Sequence, residues 1–208
     1  FFDKETWSFL VDFIDRLPQE SDREQREHAR TRWLFSLLYI TSARRSEIAN
    51  GTMADFFRDQ EGYWLHIIGK GQKERDVAVT DELIHELKRY RTFLRLAPMA
   101  GAHDDRPLVF DLWGKGPVTP KTIYNIVKEV CGNAAKELDS LDPARAEKLR
   151  EASTHWLRHS SLSHLGAVAS LRVLTQKAGH ASLKVATVYQ HEERKELHDA
   201  CSKLKIRR

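Results

Sequence analysis

The segment from residue 154 to residue 191 constrains the fold and the chemistry of this chain more than any other. Its sequence is THWLRHSSLSHLGAVASLRVLTQKAGHASLKVATVYQH, in which apolar residues recur at the spacing of helices packed into a core. The same segment carries imidazole, guanidinium and phenol groups at His155, Arg158, His159, His180 and Tyr189. We expect these polar groups to point into a shared, partly buried site.

The bulk properties favour a soluble, globular, intracellular protein. Of the 208 residues, 41% are hydrophobic and 31% charged, and no apolar run approaches the roughly 18 residues of a membrane span. The two cysteines and ten histidines lack the usual metal-ligand spacing, so we expect no metal site. A net charge of +4 is compatible with a polyanionic partner but does not require one. No clear linker divides the chain, and we expect one cytoplasmic domain over 1–208.

Periodicity and turn signals predict a mainly α fold with a small antiparallel β-sheet. Helical spacing and capping signals predict helices over 4–17, 23–41, 44–50, 81–96, 119–135 and 143–152. Strand signals occur at 52–57, 63–68, 75–79 and 108–110. The polar, glycine-bearing turn between the second and third strands predicts a β-hairpin. We also expect three helices within 154–191 and a charged helix over 192–208.

Several isolated polar residues suit the chemistry of a phosphodiester. Arg44 begins a short helix, Lys70 lies on the hairpin turn, and the spacing of three puts His155 and Arg158 on one helical face. Arginine gives fixed hydrogen bonds to non-bridging oxygens, whose negative charge grows in the transition state. Nearby cations favour the phenolate form of a tyrosine such as Tyr189, and a lysine can protonate the leaving oxygen.

Four motifs occur in an order that resembles the tyrosine recombinase, or phage integrase, family, including its Xer-type members. The motifs are TSARRSE at 41–47, IGKGQKER at 68–75, HWLRH at 155–159 and AGHASLKVATVYQH at 178–191. With the order of helices and strands they cover nearly the whole chain. The resemblance implies the catalytic-domain fold of the DNA breaking-rejoining enzymes.

The resemblance also implies a role for each matching residue. The catalytic set would be Arg44, Lys70, His155, Arg158, His180 and Tyr189. Glu47 is similar to the acid that braces this set, and His159 to a structural neighbour. The family breaks one DNA strand by forming a 3′-phosphotyrosyl link and releasing a 5′-hydroxyl, without a metal or nucleotide cofactor. The expected partner is duplex DNA in the nucleoid, bound by a homotetramer on two synapsed sites. A monomer remains the alternative for the isolated domain.

Two of these assignments have rivals next to them in the sequence. Arg45 could replace Arg44, and Lys73 could replace Lys70 as the general acid. Loops and helix starts commonly supply the groups that bind DNA phosphates. On that basis we expect DNA contacts from Lys73, Arg75, Thr119, Lys121 and Thr122.

The sequence departs from the family pattern in a few places. Ser42 and Ala178 stand where the family usually has Gly and Leu, and the charged segment 138–152 is longer than a minimal member needs. No part of the chain corresponds to the separate helical domain that usually precedes the catalytic one. We therefore expect the catalytic domain alone.

The expected function is site-specific recombination of DNA. A type IB topoisomerase shares the residue set and the chemistry, and a relative that binds DNA without cutting it is a second alternative. The motif spacing and the Xer-like motifs favour the recombinase, and the complete set of six catalytic residues argues against a non-catalytic relative.

Overall fold

The computed structural model describes residues 1–166, 173, 177 and 198–206. Over these residues the fold is mostly helical with one three-stranded antiparallel sheet, which confirms the predicted fold class. The helices are α1 (Lys4–Asp15), α2 (Asp22–Thr41), α3 (Arg45–Asn50), α4 (Asp81–Phe93), α5 (Pro120–Leu138), α6 (Pro143–Glu151) and α7 (Thr154–Gly166). The strands are β1 (Phe56–Arg58), β2 (Tyr63–Ile68) and β3 (Glu74–Val79).

Side-chain caps fix where the helices begin. Ser21 and Glu24 form a reciprocal capping box at the start of α2. At the start of α5, the Thr119 hydroxyl accepts a hydrogen bond from the Thr122 backbone, and Pro120 occupies the first helical position. Because these caps are local in sequence, the predicted helix starts agree with the structure to within about one or two residues.

Helix α2 lies at the centre of the fold. It packs against α1, α4, α5, α7 and β3, and its C-terminal half is buried. The Trp33 indole within that half donates a 2.7 Å hydrogen bond to the Leu108 carbonyl. Because so many neighbours hold α2, the position of its last residue, Thr41, is fixed, and so is the start of the chain that follows it.

The predicted hairpin is formed by β2 and β3. The two strands pair from Tyr63 opposite Val79 to Ile68 opposite Glu74. Their five-residue turn is closed by a 2.7 Å hydrogen bond from the Gly69 N–H to the Lys73 carbonyl. β1 pairs with the other edge of β2, so the strand order is β1-β2-β3.

Two of the predicted strands are wrong in extent or in type. The predicted strand 52–57 begins only at Phe56 and runs to Arg58. Residues 53–55 instead form a 3₁₀ turn, in which the Asp55 carboxylate accepts from the Thr52 N–H at 2.7 Å. The predicted strand at 108–110 is a loop with isolated bridges, which involve Pro107 and Pro117. Since proline has no N–H, a ladder cannot continue through either position.

The predicted tail helix also ends earlier than expected. Residues 198–202 are helical, and the helix ends at Ser202. The Ile206 N–H donates a 2.8 Å hydrogen bond to the Glu82 carboxylate at the start of α4, while Cys201 and Leu204 are buried. The last residues therefore pack onto the body of the domain. Of the three helices predicted in 154–191, α7 is the first, and the others lie outside the described residues.

No helix within the described ranges is long and apolar enough to cross a membrane.

Candidate active site

Arg44 stands at the cap of α3, immediately after the turn that ends α2. Its backbone N–H donates a 2.8 Å hydrogen bond to the Glu47 carboxylate three residues later, as expected for an acid in the first turn of a helix. The Arg44 guanidinium lies 3.0 Å from the same carboxylate, yet 43% of its side chain is exposed. Arg44 is thus held at one end and open to a ligand at the other.

Glu47 is the buried anion at the centre of the site. Its side chain is 2% exposed, and both of its oxygens accept hydrogen bonds from Arg75, at 3.0 and 2.7 Å. Burial raises the pKa of Glu47, but the hydrogen bonds from Arg75 and Arg44 outweigh this and hold the pKa below its ordinary value. The charged carboxylate therefore ties the hairpin to α3.

The hairpin turn forms one wall of an open groove of about 740 Å³ beside Arg44. Lys70 and Lys73 are both exposed on this wall, so the structure leaves both as candidates for the general acid. Gly69 allows the close approach of the turn, since a Cβ there would lie 3.1 Å from the Glu47 carboxylate. The groove is lined by Arg44, Ser46, Glu47, Asn50, Ile68, Gly69, Lys70, Lys73, Glu74 and Arg75.

Arg158 enters the site from α7. It is buried, and its Nη1 donates a hydrogen bond to the backbone carbonyl of Ser42, two residues before Arg44. Burial lowers the pKa of Arg158 to about 10, and the charges of Arg44 and Arg75 contribute to the same shift. The three guanidiniums therefore lie near one another, with the Glu47 carboxylate partly offsetting their charge. Because a pKa of about 10 lies well above neutrality, Arg158 still carries its charge at pH 7.

His155 and His159 form a pair on the exposed side of α7. Their Nε2 atoms are 2.8 Å apart, so one ring must donate and the other must accept. Partial desolvation and the neighbouring His155 lower the pKa of His159. Both rings lie on the exposed side of α7, whereas Arg158 is buried, and neither histidine lines the groove beside Arg44.

The start of α5 carries a second group of predicted DNA-contact residues. Thr119 and Thr122 bond each other across the helix cap, with their hydroxyl oxygens 2.9 Å apart. Lys121 and Arg45 both lie over the Tyr124 ring, at 5.3 and 5.4 Å from its centroid. Arg45 thus faces α5, whereas Arg44 lines the groove. Arg44 as the catalytic arginine stays a prediction.

The structure brings six of the thirteen predicted residues together, and it adds contacts that the sequence analysis missed. Arg44, Glu47, Lys70, Lys73 and Arg75 line one groove, and Arg158 reaches the turn that leads into it. The bidentate pairing of Arg75 with Glu47 was missed, because the motif around Arg75 holds several cations and none is marked as the partner. Contacts of Lys73, Arg75, Thr119, Lys121 and Thr122 with DNA remain predictions. His180 and Tyr189 lie outside the described residues.

Comparison with known proteins gives a consistent family match. The profile of the phage integrase family matches residues 8–196. The chain is 30% identical over 189 residues to "Tyrosine recombinase XerD" of Proteus mirabilis, covering 85% of this chain and 56% of that protein. It is 30% identical over 167 residues to the XerD of Rhizobium meliloti, covering 80% of this chain and 48% of the relative. The chain thus spans about half the length of the curated relatives it matches.

Solved structures share the fold. The site-specific recombinase XerH bound to difH substrate, in a pre-cleavage complex, superposes with a TM-score of 0.64 at 23% identity, covering 92% of this chain and 52% of that one. The integrase from mycobacterium phage Brujita superposes with a TM-score of 0.59 at 16% identity, covering 97% of this chain and 57% of that one. These likenesses confirm the catalytic-domain fold that the motifs predict.

Proposed function

Because the chain belongs to the phage integrase family, we propose that it is the catalytic domain of a tyrosine recombinase, which cuts and rejoins duplex DNA at specific sites. The observation that carries the proposal is the convergence of Arg44 and Arg158 on one short turn, beside a groove that Lys70 also lines. These three side chains come from elements far apart in the sequence, and all are cations.

The proposed reaction is a transesterification at phosphorus. Arg44 and Arg158 bind the non-bridging oxygens and stabilise the negative charge that grows on them. The Tyr189 hydroxyl releases its proton to solvent and its oxygen forms a bond to phosphorus, while the bond from phosphorus to the 5′ oxygen breaks. Lys70 donates a proton to that 5′ oxygen, and His155 and His180 donate hydrogen bonds to the phosphoryl group. Attack by a 5′-hydroxyl on the phosphotyrosine reverses these steps and rejoins the strand.

The proposed partner is duplex DNA, bound along the groove and the start of α5. Exposed cations on both, such as Lys73 and Lys121, would neutralise backbone phosphates. The solved relative XerH is bound to its difH substrate, which supports DNA as the ligand here. We propose that a homotetramer acts on two synapsed sites within the nucleoid, while the domain without DNA is monomeric.

Covalent capture on duplexes of random sequence tests the proposal. The protein is incubated with a library of duplexes that carry a nick beside randomised arms, so that cleavage releases a short fragment and traps the enzyme. We expect wild type and Tyr124→Phe to yield adducts that survive detergent, and Tyr189→Phe to yield none. Tyr124→Phe is the matched control because it removes a hydroxyl near the site but keeps the ring under Arg45. No adduct from wild type, or equal recovery with Tyr189→Phe, would overturn the proposal.

A plasmid with two copies of the captured sequence then separates recombination from relaxation. We expect exchange between the two copies. Relaxation of supercoils without any exchange would point to the topoisomerase alternative.

A further inference from the structure

The turn between α2 and α3 adopts a backbone conformation that is unfavourable for residues other than glycine. Ser42, its central residue, has φ +52° and ψ +25°, in the left-handed region where glycine is favoured. Ser42 is also fully buried. A serine at such a position costs free energy that a glycine would avoid. The contacts of its hydroxyl can offset that cost.

The Ser42 hydroxyl bonds to α7, next to Arg158. Its Oγ lies 2.7 Å from the Oγ of Ser161, which is also fully buried. Ser161 follows Arg158 by three residues on the same helix, so the two side chains share one face of α7. The Ser42 carbonyl accepts the hydrogen bond from Arg158 Nη1. One residue therefore contacts α7 twice, once through its side chain and once through its backbone.

The other side of the same turn is anchored within α2 and leads directly to Arg44. The Thr41 hydroxyl donates a 2.6 Å hydrogen bond to the Leu37 carbonyl and accepts one of 3.2 Å from the Ala43 N–H. Arg44 comes next and begins the cap of α3. The relative placement of Arg44 and Arg158 thus depends on how this turn is held against α7.

We propose that Ser42 is a positioning residue that sets the spacing between the two arginines through its hydrogen bond to Ser161. This inference rests on the proposed function, in which both arginines bind one phosphate and their spacing therefore matters. A glycine would make the turn at lower cost, but it would remove the bond to Ser161 and let the Ser42 carbonyl move relative to Arg158. The Ser42–Ser161 hydrogen bond thus fixes the distance between the two arginines, and the strained backbone at Ser42 is its cost in stability.

Opposite changes in stability and activity distinguish this role from simple packing. Ser42→Gly relieves the left-handed strain and loses one hydrogen bond, so we expect the urea midpoint to be unchanged or higher. At saturating concentrations of the captured duplex we expect its rate of adduct formation to fall about fivefold, the scale of one hydrogen bond's net free energy. DNA affinity is expected to stay within about twofold of wild type, since neither arginine is removed.

Two further variants and a control complete the measurement. Ser161→Ala removes the same hydrogen bond from the other side, and the Ser42→Gly/Ser161→Ala double variant is expected to be no slower than either single one. Arg95→Gly is the matched control, because Arg95 has φ +58° and is exposed, away from the groove. It should raise the urea midpoint and leave the cleavage rate unchanged. A wild-type rate in Ser42→Gly, or rates that simply follow stability across the set, would overturn the positioning role.

A measurement without DNA separates failure of this inference from failure of the proposed function. The Nη protons of Arg158, assigned by comparison with Arg158→Lys, should show restricted rotation in nitrogen-edited NMR spectra of the wild type. In both Ser42→Gly and Ser161→Ala, faster rotation should average the signals of these protons. Identical Arg158 signals in all three proteins would overturn the inference even where wild type forms adducts. Failure of the wild type to form any adduct would instead overturn the proposed recombinase function.

Discussion

At the residue scale, Arg158 combines burial with a retained charge. Its guanidinium is removed from water beside two other cations, and the Glu47 carboxylate offsets part of this cost. A cation held this way cannot rearrange freely, because the Ser42 carbonyl fixes its Nη1. Such a group stabilises developing negative charge without reorganising during the reaction.

Removal of this group should therefore affect the chemical step far more than binding. We expect Arg158→Ala to slow adduct formation by at least about 100-fold, the usual effect of losing one preorganised donor. Binding of the captured duplex should remain measurable by gel shift, because other cations on the surface still contact phosphates. Full activity in this variant would contradict the role of Arg158 in binding the phosphate.

His164 gives a separate prediction about stability and pH. Its Nε2 donates to the Phe2 carbonyl at 3.0 Å, so its Nδ1 accepts from the Tyr39 hydroxyl at 2.8 Å, and the neutral ring is satisfied on both sides. Burial lowers the pKa of His164, which means that the unfolded chain binds a proton more readily than the folded one. The contribution of His164 to stability is therefore complete above the unfolded pKa of about 6.5. It is lost as the pH falls through the lower folded pKa.

Urea unfolding at a series of pH values between about 7.5 and 5 measures this loss. The free energy of unfolding should fall with decreasing pH less steeply in His164→Gln than in wild type. His85→Gln is the matched control, since His85 is exposed on α4 and should keep the wild-type slope. Equal slopes for all three proteins would show that His164 does not titrate as the structure implies.

At the scale of elements, the position of the hairpin depends on the absence of a side chain at Gly69. A Cβ there would lie 3.1 Å from the Glu47 carboxylate and 3.3 Å from the Lys73 carbonyl, closer than ordinary contact. We expect Gly69→Ala to move the turn that carries Lys70, to cost about 1 kcal/mol of stability, and to slow cleavage.

Gly132→Ala is the contrasting substitution, measured in the same unfolding and cleavage assays. Gly132 lies in α5, and a Cβ there would meet no atom within 4 Å. It should raise stability by up to about 1 kcal/mol, because alanine is the better helix former. Equal stability of the two variants would mean that Gly69 is not held closely against Glu47.

Agreement between sequence and structure depends on which interactions are local. Helical spacing and caps predicted α1, α2, α4 and α5, since both signals arise within a few residues of one another. The strand predicted at 108–110 was wrong because the bridging prolines 107 and 117 cannot donate the hydrogen bonds of a ladder. The apolar pattern on which the prediction rested does not report this. The motifs predicted a shared site, and the structure places Arg44 and Lys70 along one groove, while their catalytic roles stay predictions.

Long-range pairs could not be predicted in this way. Glu47 and Arg75 are 28 residues apart, and Ser42 and Ser161 are 119 apart. Their contacts exist only because α2 packs against α7 and the hairpin folds back onto α3. A pattern in the sequence marks which residues are polar, but the packing of elements decides which of them meet.

At the scale of the whole molecule, the two halves of the chain supply side chains that meet beside α2. The first half supplies Arg44 and the hairpin lysines, the second supplies Arg158 from α7, and the central helix holds both sets in register. The central claim is that this cluster of cations binds one phosphate of DNA for attack by Tyr189.

Mapping the residue that becomes linked to DNA tests this claim most directly. Captured adducts are digested with protease and nuclease, and the modified peptide is sequenced by mass spectrometry. We predict a nucleotide joined through its 3′ phosphate to the hydroxyl of Tyr189, with no other tyrosine modified. A nucleotide linked to a different residue, or joined through a 5′ phosphate, would contradict the account.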